Sequence, residues 1–431
     1  MKTTSLFRTL IAAIFFLVVN SAVAQNSNGS RTINKAVSVP ADVTICINNH
    51  SGDIKIITGS GSSVNMKTTI EVTGNTADDE KKVLQAVDNF QFELNGNKLD
   101  IDTRFYKNMN TINNRSTMTL INGDKVKIKD FKIKHELQIP KSANLELNNK
   151  YSDIEMQSLN GEIELTLYSS KLFANDFSGI TSIQAKYSKI RLEKISNNAE
   201  FDFYDTDIEM ESCADINIKS KYSKFEIGEA GKMKIDSYDD KFTVDNLTSL
   251  ELVSKYSDFI SEAGLTDLKL ELYDCNVTVK SASNTKFTGK YCDLKLGNVK
   301  NLTINDSYDN NFYLENTGKI EIGNSKYCLY ELKSVSDFSL DNSYDENIKI
   351  EKLNSDFSGF SVAGKYGKTE INAGSVPFKV DFSIKYPKID IPESVKISKQ
   401  IKDDSNLELV GGESGGTIKI NGYDMKVVIN D

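Results

Sequence analysis

The feature that most constrains this chain is a repeat. NNKYSDIEM (148–156) returns as AKYSKIRL at 185, SKYSKFEI at 220, SKYSDFIS at 254, GKYCDLKL at 289 and SKYCLYEL at 325. The first apolar residue after each tyrosine or its coil equivalent is Ile154, Leu172, Ile190, Ile208, Phe225, Phe242, Phe259, Val277, Leu294, Phe312, Tyr330 and Ile348, always 17 or 18 residues apart. A second apolar anchor precedes each, from Leu147, Leu165 and Ile183 to Ile304, Ile322 and Leu340, at seven residues nine times and then at eight residues three times. Both anchors sit in period-2 alternations such as IEM, FEI and LKL, the mark of strands with one face buried. One such unit cannot bury its apolar face alone, but stacked units can, each strand pairing in parallel with its equivalent in the next coil. The pattern predicts an all-β, right-handed parallel β-solenoid with two short strands per coil. At about 4.8 Å per rung, twelve coils run roughly 55–60 Å. A left-handed hexapeptide helix would step in equal sixes, which the unequal steps exclude.

The flanks complete the domain reading. Lys2 and Arg8, the apolar run LIAAIFFLVV and Ala22-Val23-Ala24 predict a signal peptide over 1–24. Without that leader, which holds two basic residues and no acid, the formal charge of −9 becomes −11. An acidic exported chain without basic clusters is a poor nucleic-acid partner, and no later run is long enough to span a membrane. Residues 25–140 read as a β-rich N-terminal module with one short helix at 77–87 (ADDEKKVLQAV) and a polar loop at 107–124. Residues 141–391 are the repeat array, and 392–431 read as C-terminal capping strands. The segment VPADVTICINNHSGDIKI (39–56) is a twin of IPKSANLELNNKYSDIEM (139–156).

That twin motif, followed by many short strands, resembles an exported bacterial β-strand-repeat family described as adhesins and largely of unknown function. The resemblance implies a surface role and supplies no catalytic residues.

The repeat itself offers a candidate site. Coils alternate between Lys-Tyr, with Lys186, Lys221, Lys255, Lys290 and Lys326, and Tyr-Asp, with Asp205, Asp239, Asp274, Asp309 and Asp345. Like charges one rung apart would cost roughly 1 kcal/mol even in water, and alternation doubles their distance. The tyrosines Tyr187, Tyr204, Tyr222, Tyr238, Tyr256, Tyr273, Tyr291, Tyr308, Tyr327 and Tyr344 are expected to stack along one corner. Such a ladder is first a structural device, and second a platform for a glycan or another regular polymer.

Other chemistry finds little support. His50 and His135 read as surface histidines. GGESGGTIKING (411–422) reads as a flexible connection. No motif for a metal or cofactor is present, so none is expected, and no catalytic residue is assigned. Of the five cysteines, Cys275 and Cys292 fall on adjacent rungs, which leaves a disulfide open, while Cys328 lies two rungs from Cys292. The sequence therefore points to an exported, non-enzymatic envelope protein with an adhesin-like or scaffold surface. A polymer-binding module is the second reading and a polysaccharide-degrading β-helix enzyme the third. Partners would be an envelope polysaccharide or a cell-surface protein. The leader specifies export, to the periplasm, the outer surface or the medium.

Overall fold

The structure, a computed structural model, describes residues 29–112 and 115–431; the expected leader at 1–24 lies outside the described residues. Over the described residues the fold is all-β, 73% strand with one short helix, and its repeats form a parallel β-solenoid. The chain divides into two compact units. One holds the described residues up to Glu146 together with Ser152–Gln157, and the other holds Leu147–Tyr151 together with Ser158–Asp431.

In the larger unit, each coil runs from one tyrosine corner to the next. The anchors pair in register from rung to rung. Leu172 lies on Ile190, Ile190 on Ile208, Ile208 on Phe225 and Phe225 on Phe242, while Leu165 lies on Ile183 and Ile183 on Phe201. All twenty-four anchors are at most 2% exposed. Identical positions therefore form continuous apolar columns inside the coil. Where aromatics occupy a column they stack: Phe225 lies 4.5 Å from Phe242 at 14°, and Phe312 lies 4.9 Å from Tyr330 at 3°.

The change from seven to eight residues between anchors is a stacked bulge. The register shifts between Phe287 and Gly289, where the next coil carries an extra residue, and shifts back between Leu340 and Ser343. The extra length lets Asp306, Asn324 and Asn342 stack outside the coil. Asn324 Nδ2 donates to Asp306 Oδ1 at 3.0 Å and Asn342 Nδ2 to Asn324 Oδ1 at 3.1 Å. The same device separates two acids elsewhere, where Asn276 donates to Asp258 at 2.8 Å.

The C-terminal end departs from chain order. Strand Gly416–Tyr423 lies between Gly359–Lys365 and Phe378–Lys385, parallel to both. Strand Lys426–Asn430 lies likewise between Lys368–Asn372 and Lys388–Asp390. The last coil in sequence is thus the penultimate coil in space. Outside it, Phe378–Lys385 pairs antiparallel with Asn406–Gly411, which pairs with the exposed edge strand Ile397–Lys402.

In the smaller unit, Asp53–Gly59 lies between Lys125–Pro140 and Asp153–Met156, parallel to both. The sequence twins stack directly, Ile54 on Ile154. The helix spans Ala77–Asp88, as expected. Thr76 caps it by accepting from Asp79 N–H at 3.1 Å, and Asp78, Asp79 and Glu80 occupy its first turn. Its Val83 and Val87 pack with Ile70, Val72 and Met118. Two sequence expectations fail here. The polar loop at 107–124 is instead largely an antiparallel hairpin of Tyr106–Ile112 and Arg115–Leu120, because Met118 and Leu120 are core residues. His135 is buried rather than on the surface. It occupies an inward position of KIKHELQI, with Nδ1 2.9 Å from Thr68 Oγ1 and Nε2 3.2 Å from Ser51 O, and burial lowers its pKa to about 4.

Truncating a ring inside an aromatic column opens a cavity that the rungs on either side cannot close. Phe242→Ala should lose about 3–5 kcal/mol in chemical denaturation. A loss below about 1 kcal/mol would contradict the stacked-column packing.

Candidate functional site: a tyrosine ladder above a polar seam

The tyrosine corner is built by a backbone kink. All fifteen non-glycine residues with positive φ among the described residues lie at this corner, with φ between 49° and 62°. In Lys-Tyr coils the left-handed residue is tyrosine, for example Tyr187, Tyr222 and Tyr256; in Tyr-Asp coils it is the aspartate, for example Asp205, Asp239 and Asp274. Aspartate tolerates this region through its short polar side chain, whereas a bulky residue there is uncommon. The kink turns each N–H toward the next rung: Tyr187 N–H donates to Tyr204 O at 3.0 Å and Asp205 N–H to Lys221 O at 2.9 Å.

The alternation of coil types is therefore a one-residue shift of the ring. Two columns run up the corner. In the first, the last strand position, tyrosine and lysine alternate: Lys186 on Tyr204, Tyr204 on Lys221, Lys221 on Tyr238. In the second, the left-handed position, tyrosine and aspartate alternate. The rings zigzag between the columns and meet edge to face, with centroids 5.3–5.7 Å apart and planes at 71–81°. This corrects the expectation of a single stacked file. Rings one rung apart in one file would meet as face-to-face sandwiches, the less favourable arrangement.

The ladder joins fifteen of the chain's eighteen tyrosines. It contains the ten candidates from Tyr187 to Tyr344, and adds Tyr151, Tyr168, Tyr366, Tyr423 and Tyr386. Tyr151 stands in NNKYSDIEM, the first copy of the repeat, and the signal for the other four was present in LYSS, GKYG, GYDM and IKYP, where changed neighbours or irregular spacing hid it. Second-column rings are 44–69% exposed and first-column rings at most 37%, so an aromatic strip faces solvent. Beside it runs an open groove of about 880 Å³, lined by Tyr238, Tyr273 and Tyr308 alternating with Lys255, Lys290 and Lys326, with Asp236, Glu271 and Asp306 along the same wall. Lys290 Nζ lies 5.8 Å from the Tyr308 ring centroid.

Beneath the ladder lies a seam that sequence reasoning missed. From Tyr187 to Asp345 the residue after each left-handed position points inward and is small or polar: Ser188, Thr206, Ser223, Asp240, Ser257, Cys275, Cys292, Asn310, Cys328 and Glu346, all buried. Most of them accept the corner N–H of the preceding coil, as in Thr206 N–H to Ser223 Oγ at 3.1 Å, Ser223 N–H to Asp240 Oδ1 at 2.6 Å and Cys328 N–H to Glu346 Oε2 at 2.9 Å. The hydroxyls and thiols also donate to their own coil, Ser223 Oγ to Lys221 O at 3.0 Å and Cys292 Sγ to Lys290 O at 3.1 Å. The signal was the recurrent small residue after each corner, whose task appears only once the kinked N–H groups point inward. Cys275 and Cys292 are free thiols here and take the place of serine. Cys292 is held protonated by its hydrogen bond with Cys275 and by burial.

Asp240 and Glu346 differ from their neighbours. Burial raises Asp240 to about 6 and Glu346 to about 7. Asp240 Oδ2 and Glu346 Oε1 have no hydrogen-bond partner. A neutral carboxyl carries the hydrogen that serine supplies in this seam, and a carboxylate does not.

Among the described residues no cluster of His, Cys, Asp and Glu could hold a metal, and no helix is long and apolar enough to cross a membrane. No family model matches the chain, and no curated protein matches it. Two solved structures align with it. A "putative cell adhesion protein" from Clostridium sporogenes is 10% identical, with 93% of this chain and 99% of that one covered and a TM-score of 0.18. A "putative adhesin" from Parabacteroides distasonis is 12% identical, with 68% and 98% covered and a TM-score of 0.26.

Two outcomes test the corner. Tyr256 contacts Tyr238 at 5.3 Å and Tyr273 at 5.7 Å. Tyr256→Ala should cost roughly 1–3 kcal/mol, and Tyr256→Gly about 1 kcal/mol less, because glycine adopts positive φ freely. Equal losses in denaturant would remove the kink from the explanation.

The second concerns pH. A carboxyl whose folded pKa lies above its ordinary value contributes stability at low pH and loses it as pH rises through the folded value. The contribution of Glu346 to stability should therefore fall between about pH 4.5 and pH 7. Glu346→Gln should be more stable than wild type at pH 8 by on the order of 3 kcal/mol, with the gap closing by pH 4. A gap that does not change with pH would show that Glu346 is not the titrating group.

Proposed function

We propose that this chain is an exported, non-enzymatic β-solenoid that acts at the cell envelope as an adhesin-like contact surface, and that contact is made along the tyrosine corner. One observation carries the reading: a solvent-facing strip of fifteen rings that continues from coil to coil, edged by lysines and aspartates in fixed alternation. A soluble protein rarely leaves an extended aromatic surface uncovered without a partner for it. The two carboxyls raised furthest, Asp240 and Glu346, lie inside the coil under the strip, where no substrate reaches them. This favours contact over hydrolysis.

The groove favours a polymer as the thing contacted. Its tyrosines recur every second rung, about 9.6 Å apart, with a lysine midway between them. An extended regular polymer lying along the axis meets the same pair of side chains at each double coil. Rings give its apolar faces a platform, and lysines and acids give hydrogen-bond partners to hydroxyl or carboxylate groups. An envelope polysaccharide fits that description better than a folded surface protein, whose contacts would not repeat at this interval.

A glycan array, followed by titration against the best polymer, tests this. Lys255, Lys290 and Lys326 are exposed, so replacing all three by alanine should leave the unfolding midpoint within error while weakening binding at least tenfold. Binding to no array member would overturn the polymer reading. Unchanged affinity in the triple variant would move the contact away from the groove. Protection of the chain from protease added to intact cells would argue against an outer-surface site, and release of sugar products by the purified protein would contradict the non-enzymatic reading.

A further inference from the structure

The C-terminal coil sits where chain order does not put it. Residues up to Lys365 and Asn372 form one coil, Phe378–Lys385 and Lys388–Asp390 form the outermost coil, and Gly416–Asn430 enters between them. Both of its backbone edges are used, one against each neighbour. Its inward residues Ile418, Ile420, Met425, Val427 and Ile429 are at most 2% exposed. It also completes the corner. Tyr423 meets Tyr366 and Tyr386, at 5.6 and 5.3 Å, and Met425 Sδ accepts the Gly367 N–H at 3.3 Å. Every interaction the coil pattern provides is made by this segment, although the coil it separates from its neighbour was synthesised earlier.

Until the last residues are in place, two parallel strand edges face a gap of one coil, or the outer coil is undocked. Either state presents unpaired backbone groups and apolar columns. Nothing in the pairing requires the filling segment to come from the same molecule, because a second copy carries the same residues in the same register. The connection is suited to such a change. Gly412 and Gly415 hold φ of 84° and 88°, and a Cβ there would meet Phe378 O at 2.4 Å and Pro377 O at 1.8 Å. These glycines permit the tight reversal that keeps the segment in its own chain, and they leave the linker free to straighten. The other route to joining at this end is blocked. The edge strand Ile397–Lys402 is exposed throughout and carries Lys399 and Lys402, with Lys396 beside it, charges that oppose edge-to-edge growth.

We propose that Gly416–Asn430 is an exchangeable donor coil, and that two copies of this chain join by reciprocal exchange of it. Each copy fills the other's gap, giving a closed pair with a two-fold axis at the C-terminal end. A contact surface carried twice in one assembly gains avidity for a repeating ligand, since the second contact becomes intramolecular.

The test uses the full chain. Wild type is unfolded in denaturant and refolded at low and at high protein concentration, and its mass is measured by light scattering. The expected result is a dimer fraction at least fivefold greater from the concentrated sample, persisting after dilution. Ser361 and Lys419 are exposed partners across the inserted strand. A Ser361→Cys/Lys419→Cys variant, refolded from an equal mixture of light and isotope-heavy chains and then oxidised, should yield mixed-isotope cross-linked peptides in its dimer. The same variant oxidised as a monomer before concentration should stay monomeric. Absence of dimer at every concentration, or a dimer whose cross-linked peptides are all of one isotope, would overturn the proposal.

Discussion

Everything in the larger unit depends on rung-to-rung hydrogen bonding between parallel strands in register. Once Leu172 is fixed on Ile190 and Ile190 on Ile208, every residue has a neighbour of equivalent position about 4.8 Å above and below. Side-chain choice then becomes a question of columns. An apolar column gains from uniformity, and the anchors are uniformly buried. A charged column does not, and at the corner rings separate the lysines, while beside it an amide separates acids where Asn276 follows Asp258. The alternation of coil types solves a repulsion problem that parallel stacking creates.

The corner follows from the same constraint. A coil must turn sharply, and here it turns through one left-handed residue in each rung. Filling that position with tyrosine carries a backbone strain that edge-to-face contact with two neighbouring rings offsets. The turn also points an N–H into the coil, and the polar seam accepts it. Ladder and seam are thus the outer and inner faces of one backbone device. The outer face is free to be used for contact. The inner face carries buried acids whose ionisation opposes folding, so the same corner links surface geometry to solution pH.

Much of this was legible from residues alone. Anchor spacing gave the coil length, the two strands per coil and the buried set, because burial in a solenoid is strictly periodic. Acids in the first turn of ADDEKKVLQAV marked the helix, and its cap at Thr76 was not read. The arrangement of the rings was not legible. KYS and YDT look like one motif with different neighbours, and only backbone dihedrals reveal that the ring changes column between them. His135 was misjudged because histidine is usually exposed, although its alternation with Leu137 and Ile139 placed it inward. The hairpin at 106–120 was hidden by its polar composition.

The sequence by itself determined the period, the apolar columns and the alternation of Lys-Tyr with Tyr-Asp, since each is a regularity along the chain that any stacked fold must honour. Only the tertiary structure decided which coil lies beside which at the C-terminal end. Residues 416–430 carry the same alternation wherever they dock, and their pattern is equally compatible with an outermost or an inserted position. The choice is made by closure. In the inserted position both backbone edges are paired and the Tyr423 ring meets a tyrosine on either side, and such mutual satisfaction is a property of three segments together that no one of them encodes.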